Sequence, residues 1–159
     1  MSIQIGERIP EVTVKLIRNG VETLDTGALF EGKKVVLFAV PGAFTPTCSE
    51  CHLPGFVEHY DDFLRRGIQV YCTSVNDPFV MQAWGKSQGV PDGLPMLADG
   101  NAELARALGL EMDASGYGMG LRSKRYALYA EDGVVKGLWV EAPGEYKVSS
   151  AEYVLEHLP

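Results

Sequence analysis

Six consecutive residues, Val35-Val36-Leu37-Phe38-Ala39-Val40, carry no polar side chain. A strand with one wet face alternates apolar and polar residues, so an unbroken run reads as a strand buried on both faces. Around it the chain alternates strand and helix. Gly67 to Val75 is a second buried strand. Asp77 and Pro78 open a helix through Lys86, and Pro95 to Ala98 is a short strand before an Asp99-Gly100 turn. Asn101 is expected to cap a helix over Ala102 to Leu108 that ends at Gly109. Hairpins come at the two ends. Ile9 to Ile17 and Val21 to Leu24 flank Asn19-Gly20, and Tyr126 to Ala130 and Val134 to Val140 flank Asp132-Gly133. Ser149 with Glu152 reads as the capping box of a last helix. The pattern predicts an α/β fold, with a central mixed β-sheet flanked by helices and an N-terminal hairpin.

The 159 residues fit one domain, 1–159, and 46% hydrophobic content supplies a core. A net charge of −7 argues against nucleic acid or an anionic membrane as partner. The first residues lack a basic region followed by an apolar run, and no apolar run approaches a membrane span. The expectation is a cytoplasmic, reducing setting. There, three cysteines point to catalysis rather than to a disulfide framework.

Pro41-Gly42-Ala43-Phe44-Thr45-Pro46-Thr47-Cys48 follows the first buried strand and precedes a predicted helix, Ser49 to Phe63. Pro46 suits the first helical position and Thr45 the N-cap. Cys48 then falls in the first turn, where unpaired N–H groups and the helix dipole favour an anion. Cysteines so placed ionise more readily than the free residue. A threonine hydroxyl has two lone pairs and one hydrogen. Thr45 is therefore expected to cap an amide of the first turn and to donate to a thiolate or a bound oxygen.

Pro41-x-x-x-Thr45-x-x-Cys48 resembles the active-site signature of peroxiredoxins. The longer string through His52-Leu53-Pro54-Gly55-Phe56 is similar to the type 5 branch, which includes the plant type II enzymes. Ser74 to Val80 with Trp84, Leu97-Ala98-Asp99-Gly100 and Arg122-Ser123-Lys124-Arg125-Tyr126 extend the likeness over nearly the whole chain. The resemblance implies a thioredoxin-like fold and a thiol-dependent peroxidase without metal, haem or flavin. Its substrates would be hydrogen peroxide and alkyl hydroperoxides. Cys48 would be the nucleophile that becomes a sulfenic acid. Thr45 and Arg122 would activate it and hold the peroxide, with Arg125 as the fallback for Arg122. Pro41 and Gly42 would form the pocket wall. Thioredoxin, glutaredoxin or glutathione would return the electrons, and a homodimer is expected. Phe44 and Trp84 are either core aromatics or lie at the dimer contact.

Two further cysteines leave alternatives open. Cys72 sits inside Gln69 to Val75 and reads as an inert core thiol, yet its spacing after Cys48 resembles that of the plant-type resolving cysteine. Cys51 completes Cys48-Ser49-Glu50-Cys51, a C-x-x-C pair at a helix start. That pair suggests a dithiol-disulfide oxidoreductase, a local resolver for Cys48, or a spectator. A redox sensor is the non-enzymatic alternative. Cys51-His52 also completes the letters of a c-type haem attachment site, but no export signal accompanies them. No second ligand pair supports zinc. His59 and His157 read as surface residues.

Overall fold

The computed structural model describes residues 2–159. Its centre is β3 (Lys34–Ala39), buried at every position after Lys34. It runs parallel to β4 (Ile68–Ser74) on one side and antiparallel to β8 (Tyr126–Glu131) on the other. Beyond β4 lies the parallel β5 (Met96–Ala98). β1 (Thr13–Ile17) joins β5 antiparallel and brings its hairpin partner β2 (Val21–Asp25). β9 (Val134–Val140) closes the opposite edge against β8. The seven strands run β2-β1-β5-β4-β3-β8-β9. This is the mixed thioredoxin-like sheet that the sequence leads one to expect.

Alternation along β3 feeds two cores. Val36, Phe38 and Val40 face one side with Cys72. That side is covered by α2 (Leu53–Glu58), α3 (Tyr60–Arg65), α4 (Pro78–Ser87) and α6 (Ala151–His157), through Phe56, Phe63, Trp84 and Val154 among others. Val35, Leu37 and Ala39 face the other side. There Phe30 of α1 (Thr26–Phe30) and Leu104 and Leu108 of α5 (Glu103–Leu108) cover them. A separate ribbon of β6 (Glu111–Asp113) and β7 (Leu121–Ser123) precedes β8.

Several boundaries differ from the sequence expectation, each for a local reason. The first strand starts at Thr13 rather than Ile9. Ile9 instead donates to Gly133 O, and Pro10, which has no N–H, lends its carbonyl to the Thr26 hydroxyl. Asn101 is not the cap of α5. The Asp99 carboxylate accepts from the N–H groups of Leu104 and Ala105, and Ala102 takes a left-handed φ of 58°. Ser150 rather than Ser149 caps α6, accepting from Tyr153 N–H. Ser149 is engaged elsewhere: its hydroxyl donates to Glu141. The short helix α1 has no counterpart in the sequence expectation. It is capped by Asp25, which accepts from Gly27 N–H. The turn between β8 and β9 has positive φ at both Asp132 and Gly133, as a tight hairpin requires.

Candidate active site

Helical structure begins at Pro46, directly after the loop that leaves β3. Ser49 N–H donates to Thr45 O at 2.9 Å, which places Thr45 at the cap position. Its side chain turns the other way. The Thr45 hydroxyl donates to Gly42 O at 2.6 Å instead of accepting a first-turn amide. That bond folds the loop on itself, with Phe44 at a left-handed φ of 64°. Asn76 holds the loop from the end of β4: its Oδ1 accepts from Ala43 N–H at 3.0 Å and from the Ser74 hydroxyl at 2.6 Å.

Cys48 opens a π turn, Cys48–His52, in which Leu53 N–H donates to Cys48 O. Turns of this kind inside α-helices are frequent at functional sites. The Cys48 thiol is fully buried. The loop before it is tight. A Cβ on Gly42 would stand 2.9 Å from Met119 Cε and 3.1 Å from Thr45 Cγ2. Gly42 is buried and Pro41 half-buried.

The cation on the thiol is Arg125. Its Nη2 donates to Cys48 Sγ at 3.1 Å and its Nη1 to His52 Nδ1 at 2.9 Å. Arg122, the first choice from sequence, is committed elsewhere. Its Nε donates to Met119 O and its Nη1 to Val75 O, both at 2.9 Å. Arg122 Nη1 lies 3.6 Å from the point where a Cβ on Gly42 would stand, so this guanidinium lines the loop without bonding to Cys48. The exchange has a simple cause. Tyr126 pairs with Ala39, so β8 starts where β3 ends. Tyr126 points into the core away from Cys48, and alternation turns Arg125 toward it. Arg122 belongs to the separate β6–β7 ribbon.

His52, which the sequence offers as part of the type 5 string and as a letter of a haem pattern but with no catalytic role, is fully buried beside the thiol. It packs against Phe38, Phe56 and Tyr146. Its Nε2 meets Ser149 O at 2.9 Å. Burial and then the Arg125 charge lower its pKa to about 3, against a smaller opposing effect of the Ser149 carbonyl. Tyr146 closes the outer side. Its ring lies 6.0 Å from the Arg125 guanidinium carbon and its hydroxyl donates to Cys51 O. Glu141 shapes this segment. One carboxylate oxygen accepts from the N–H groups of Lys147, Val148 and Ser149 and from the Ser149 hydroxyl.

All three cysteines are free thiols. Cys72 is buried on β4, and burial first, then the neighbouring Cys48, push its thiol well above the ordinary range. Cys51 is exposed on the outer side of the π turn. Trp84 is a core residue whose indole N–H donates to Ser49 Oγ at 2.9 Å, whereas Phe44 is 56% exposed.

A buried thiol under a guanidinium, at the start of a helix, suits attack on a small electrophile. The chain is similar to known proteins over most of its length. The profile of the Redoxin family matches residues 4–155. The chain is 48% identical over 164 residues to peroxiredoxin-2E-2, chloroplastic, of Oryza sativa subsp. japonica, covering 99% of this chain and 73% of that one. It is 43% identical over 159 residues to peroxiredoxin-2B of Arabidopsis thaliana, covering 98% of each. The structure of reduced Prx3 of Vibrio vulnificus in complex with hydrogen peroxide superposes with a TM-score of 0.94 at 49% identity, covering 99% of both chains. With the family model spanning residues 4–155 and these peroxiredoxins matching nearly all of its length, the chain belongs to the Redoxin family and is a peroxiredoxin, a thiol-dependent peroxidase.

Proposed function

We propose that Cys48 is the peroxidatic nucleophile and that the enzyme is of type 5, reducing hydrogen peroxide and alkyl hydroperoxides. The observation that carries this reading is the 3.1 Å hydrogen bond from Arg125 to Cys48 Sγ. The thiolate attacks one peroxide oxygen. An S–O bond forms as the O–O bond breaks, and negative charge grows on the departing oxygen. Preorganised donors aimed at that charge lower the barrier. Arg125 is the donor at hand, and Arg122 beside Gly42 adds positive charge at the loop. Thr45, held by Gly42 O, keeps both lone pairs free to accept from a peroxide hydrogen. The departing oxygen takes a proton and leaves as water or alcohol. The sulfur, oxidised by two electrons, is left as a sulfenic acid.

Two external thiols complete the balance. The first displaces water to give a mixed disulfide, and the second releases Cys48 as a thiol and leaves as a disulfide. Glutathione, glutaredoxin or thioredoxin supplies these electrons. We favour the external route over Cys72 as resolver, because Cys72 is buried in β4 with its ionisation suppressed. The alternative of a dithiol exchanger is disfavoured by burial. The two sulfurs of such an enzyme close a disulfide on each other, whereas Cys48 is fully buried under Arg125 and Cys51 is exposed on the outer side of the turn.

Residues 1–159 are read as one domain, since both cores share β3. The exposed Phe44, on the loop that carries Cys48, is assigned to a homodimer contact. Sedimentation of wild type and Phe44→Asp tests this, with the variant monomeric. Three free thiols fit a reducing, cytoplasmic setting.

The deciding experiment is intact mass after one equivalent of hydrogen peroxide, with free thiols trapped under denaturing conditions. Oxidation confined to Cys48, absent in Cys48→Ser, supports the reading. Failure of Cys48 to oxidise quickly removes it.

A further inference from the structure

His52 is a buried, chemically capable side chain for which the peroxidase chemistry has assigned no task. Its two ring nitrogens have partners of opposite kind. Ser149 O only accepts, so Nε2 carries the hydrogen and donates to it. An arginine only donates, so Nδ1 offers a lone pair to Arg125 Nη1. Those two facts fix the ring as neutral and as the Nε2–H tautomer, without reference to any titration.

We infer that His52 is a positioning residue that aims the Arg125 guanidinium at Cys48. The inference rests on the assignment of Cys48 as nucleophile. The guanidinium is a planar fork. One prong meets His52 at 2.9 Å and the other meets Cys48 Sγ at 3.1 Å. With the first prong fixed, the plane of the second is fixed. Without it, a half-buried arginine beside Tyr146 is free to choose other rotamers. His52 is in turn immobilised on both edges. Phe38, Phe56 and Tyr146 confine the ring, and the carbonyl that orients Nε2 belongs to Ser149. The Glu141 carboxylate binds that same residue through its N–H and its hydroxyl. A line of directed contacts therefore runs from Glu141 through Ser149, His52 and Arg125 to the sulfur. A merely space-filling aromatic in this place would leave Nη1 of Arg125 without its partner.

The test compares wild type, His52→Leu, His52→Asn, Arg125→Ala and the double variant His52→Leu/Arg125→Ala, each checked for folding by circular dichroism. Two readouts are used: the rate of Cys48 oxidation by hydrogen peroxide, and the pH profile of Cys48 alkylation by iodoacetamide with Cys51 and Cys72 replaced by serine throughout. Misplacement of a group by about 1 Å costs up to about 100-fold in rate. His52→Leu is accordingly expected to slow oxidation by about 10- to 100-fold and to move the alkylation profile to higher pH. His52→Asn, whose amide oxygen stands near the former Nδ1, restores much of the loss. In the Arg125→Ala background, His52→Leu makes no further difference. An unchanged alkylation profile in His52→Leu overturns the inference. So does a rate loss that persists when Arg125 is already absent, which is the mark of a purely structural role. If His52→Leu does not fold, Arg125→Lys decides. A lysine keeps the charge but cannot bridge His52 and Cys48, so alkylation and oxidation should resemble those of Arg125→Ala, and wild-type behaviour overturns the inference. The alkylation readout involves no peroxide, so a failure of the peroxidase assignment shows as slow oxidation of wild type with the alkylation differences intact.

Discussion

Tyr126 stands opposite Ala39 in the antiparallel β3–β8 ladder, and this pairing delivers Arg125 to Cys48. The end of β3 launches the loop that carries the thiol, and the start of β8 lies against that end. The two arginines of one short segment are thereby separated in kind. Removing a single preorganised donor from developing negative charge costs about 100- to 1,000-fold. Arg125→Ala should lose that much in the rate of Cys48 oxidation, followed by stopped-flow fluorescence of Trp84, whose indole bonds to Ser49 beside the thiol. Arg122→Ala should lose clearly less. Equal losses would return Arg122 to the first role.

Acid should weaken the fold through His52. The unfolded chain binds a proton at the ordinary histidine value near 6.5, while the folded chain refuses it until about pH 3. A depressed folded-state value means that stability is present above pH 6.5 and falls as the pH drops from there, by about 1.4 kcal/mol per unit. His59 acts in the opposite sense, because its hydrogen bond to Asp62 raises its pKa. Comparing urea midpoints of wild type and His52→Asn between pH 7 and pH 5 isolates the buried ring. Parallel pH dependences in the two proteins would contradict this account.

Glu141 should matter for stability more than an edge carboxylate usually does. Four hydrogen bonds converge on one of its oxygens. Glu141→Ala leaves those donors unpaired and should cost about 2–4 kcal/mol. Burial alone would raise its pKa, but the bonds from Ser149, Lys147 and Val148 outweigh burial and hold it below the ordinary value. Its contribution is present above about pH 4.5 and fades as the pH falls through the lower folded value. Denaturant melts at pH 6 check the size, and at pH 6 Glu141→Gln should lie between wild type and Glu141→Ala.

Cys72→Ser should leave steady-state turnover with glutathione within about 2-fold of wild type, while destabilising the protein by about 1–3 kcal/mol through a hydroxyl placed in an apolar core. Turnover abolished in a folded Cys72→Ser protein would make Cys72 the resolver.

Much of this architecture is legible in the letters, because burial of both faces of β3, the two hairpins and the helix start at Pro46 are local consequences of composition and turn chemistry. What escaped depended on how loops fold back and on which of several nearby partners a polar group meets. Thr45 sits at its expected cap position, but its hydroxyl answers to Gly42 O, a choice set by how the loop folds back. Ser149 and Ser150 were equivalent as caps until Glu141 claimed the first. The choice between Arg122 and Arg125 was readable in principle. Alternation from Tyr126, Leu128 and Ala130 on one face places the preceding odd-numbered positions on the other, where the thiol helix packs. The π turn left no sign in the sequence, and nothing local to His52 announces that its ring meets Arg125 and Ser149, 73 and 97 residues further on.

The contact between His52 and Ser149 joins positions 97 residues apart. A ribosome adds about 5–20 residues per second, so about 5–20 s separates the making of the two ends of that contact. For the first 73 residues of that stretch the chain holds Cys48 without the arginine that attends it, and until its end it lacks the carbonyl that orients the histidine. The thiol is made early and its partners late, so the cluster of Cys48, Arg125 and His52 comes together only when the C-terminal segment has docked.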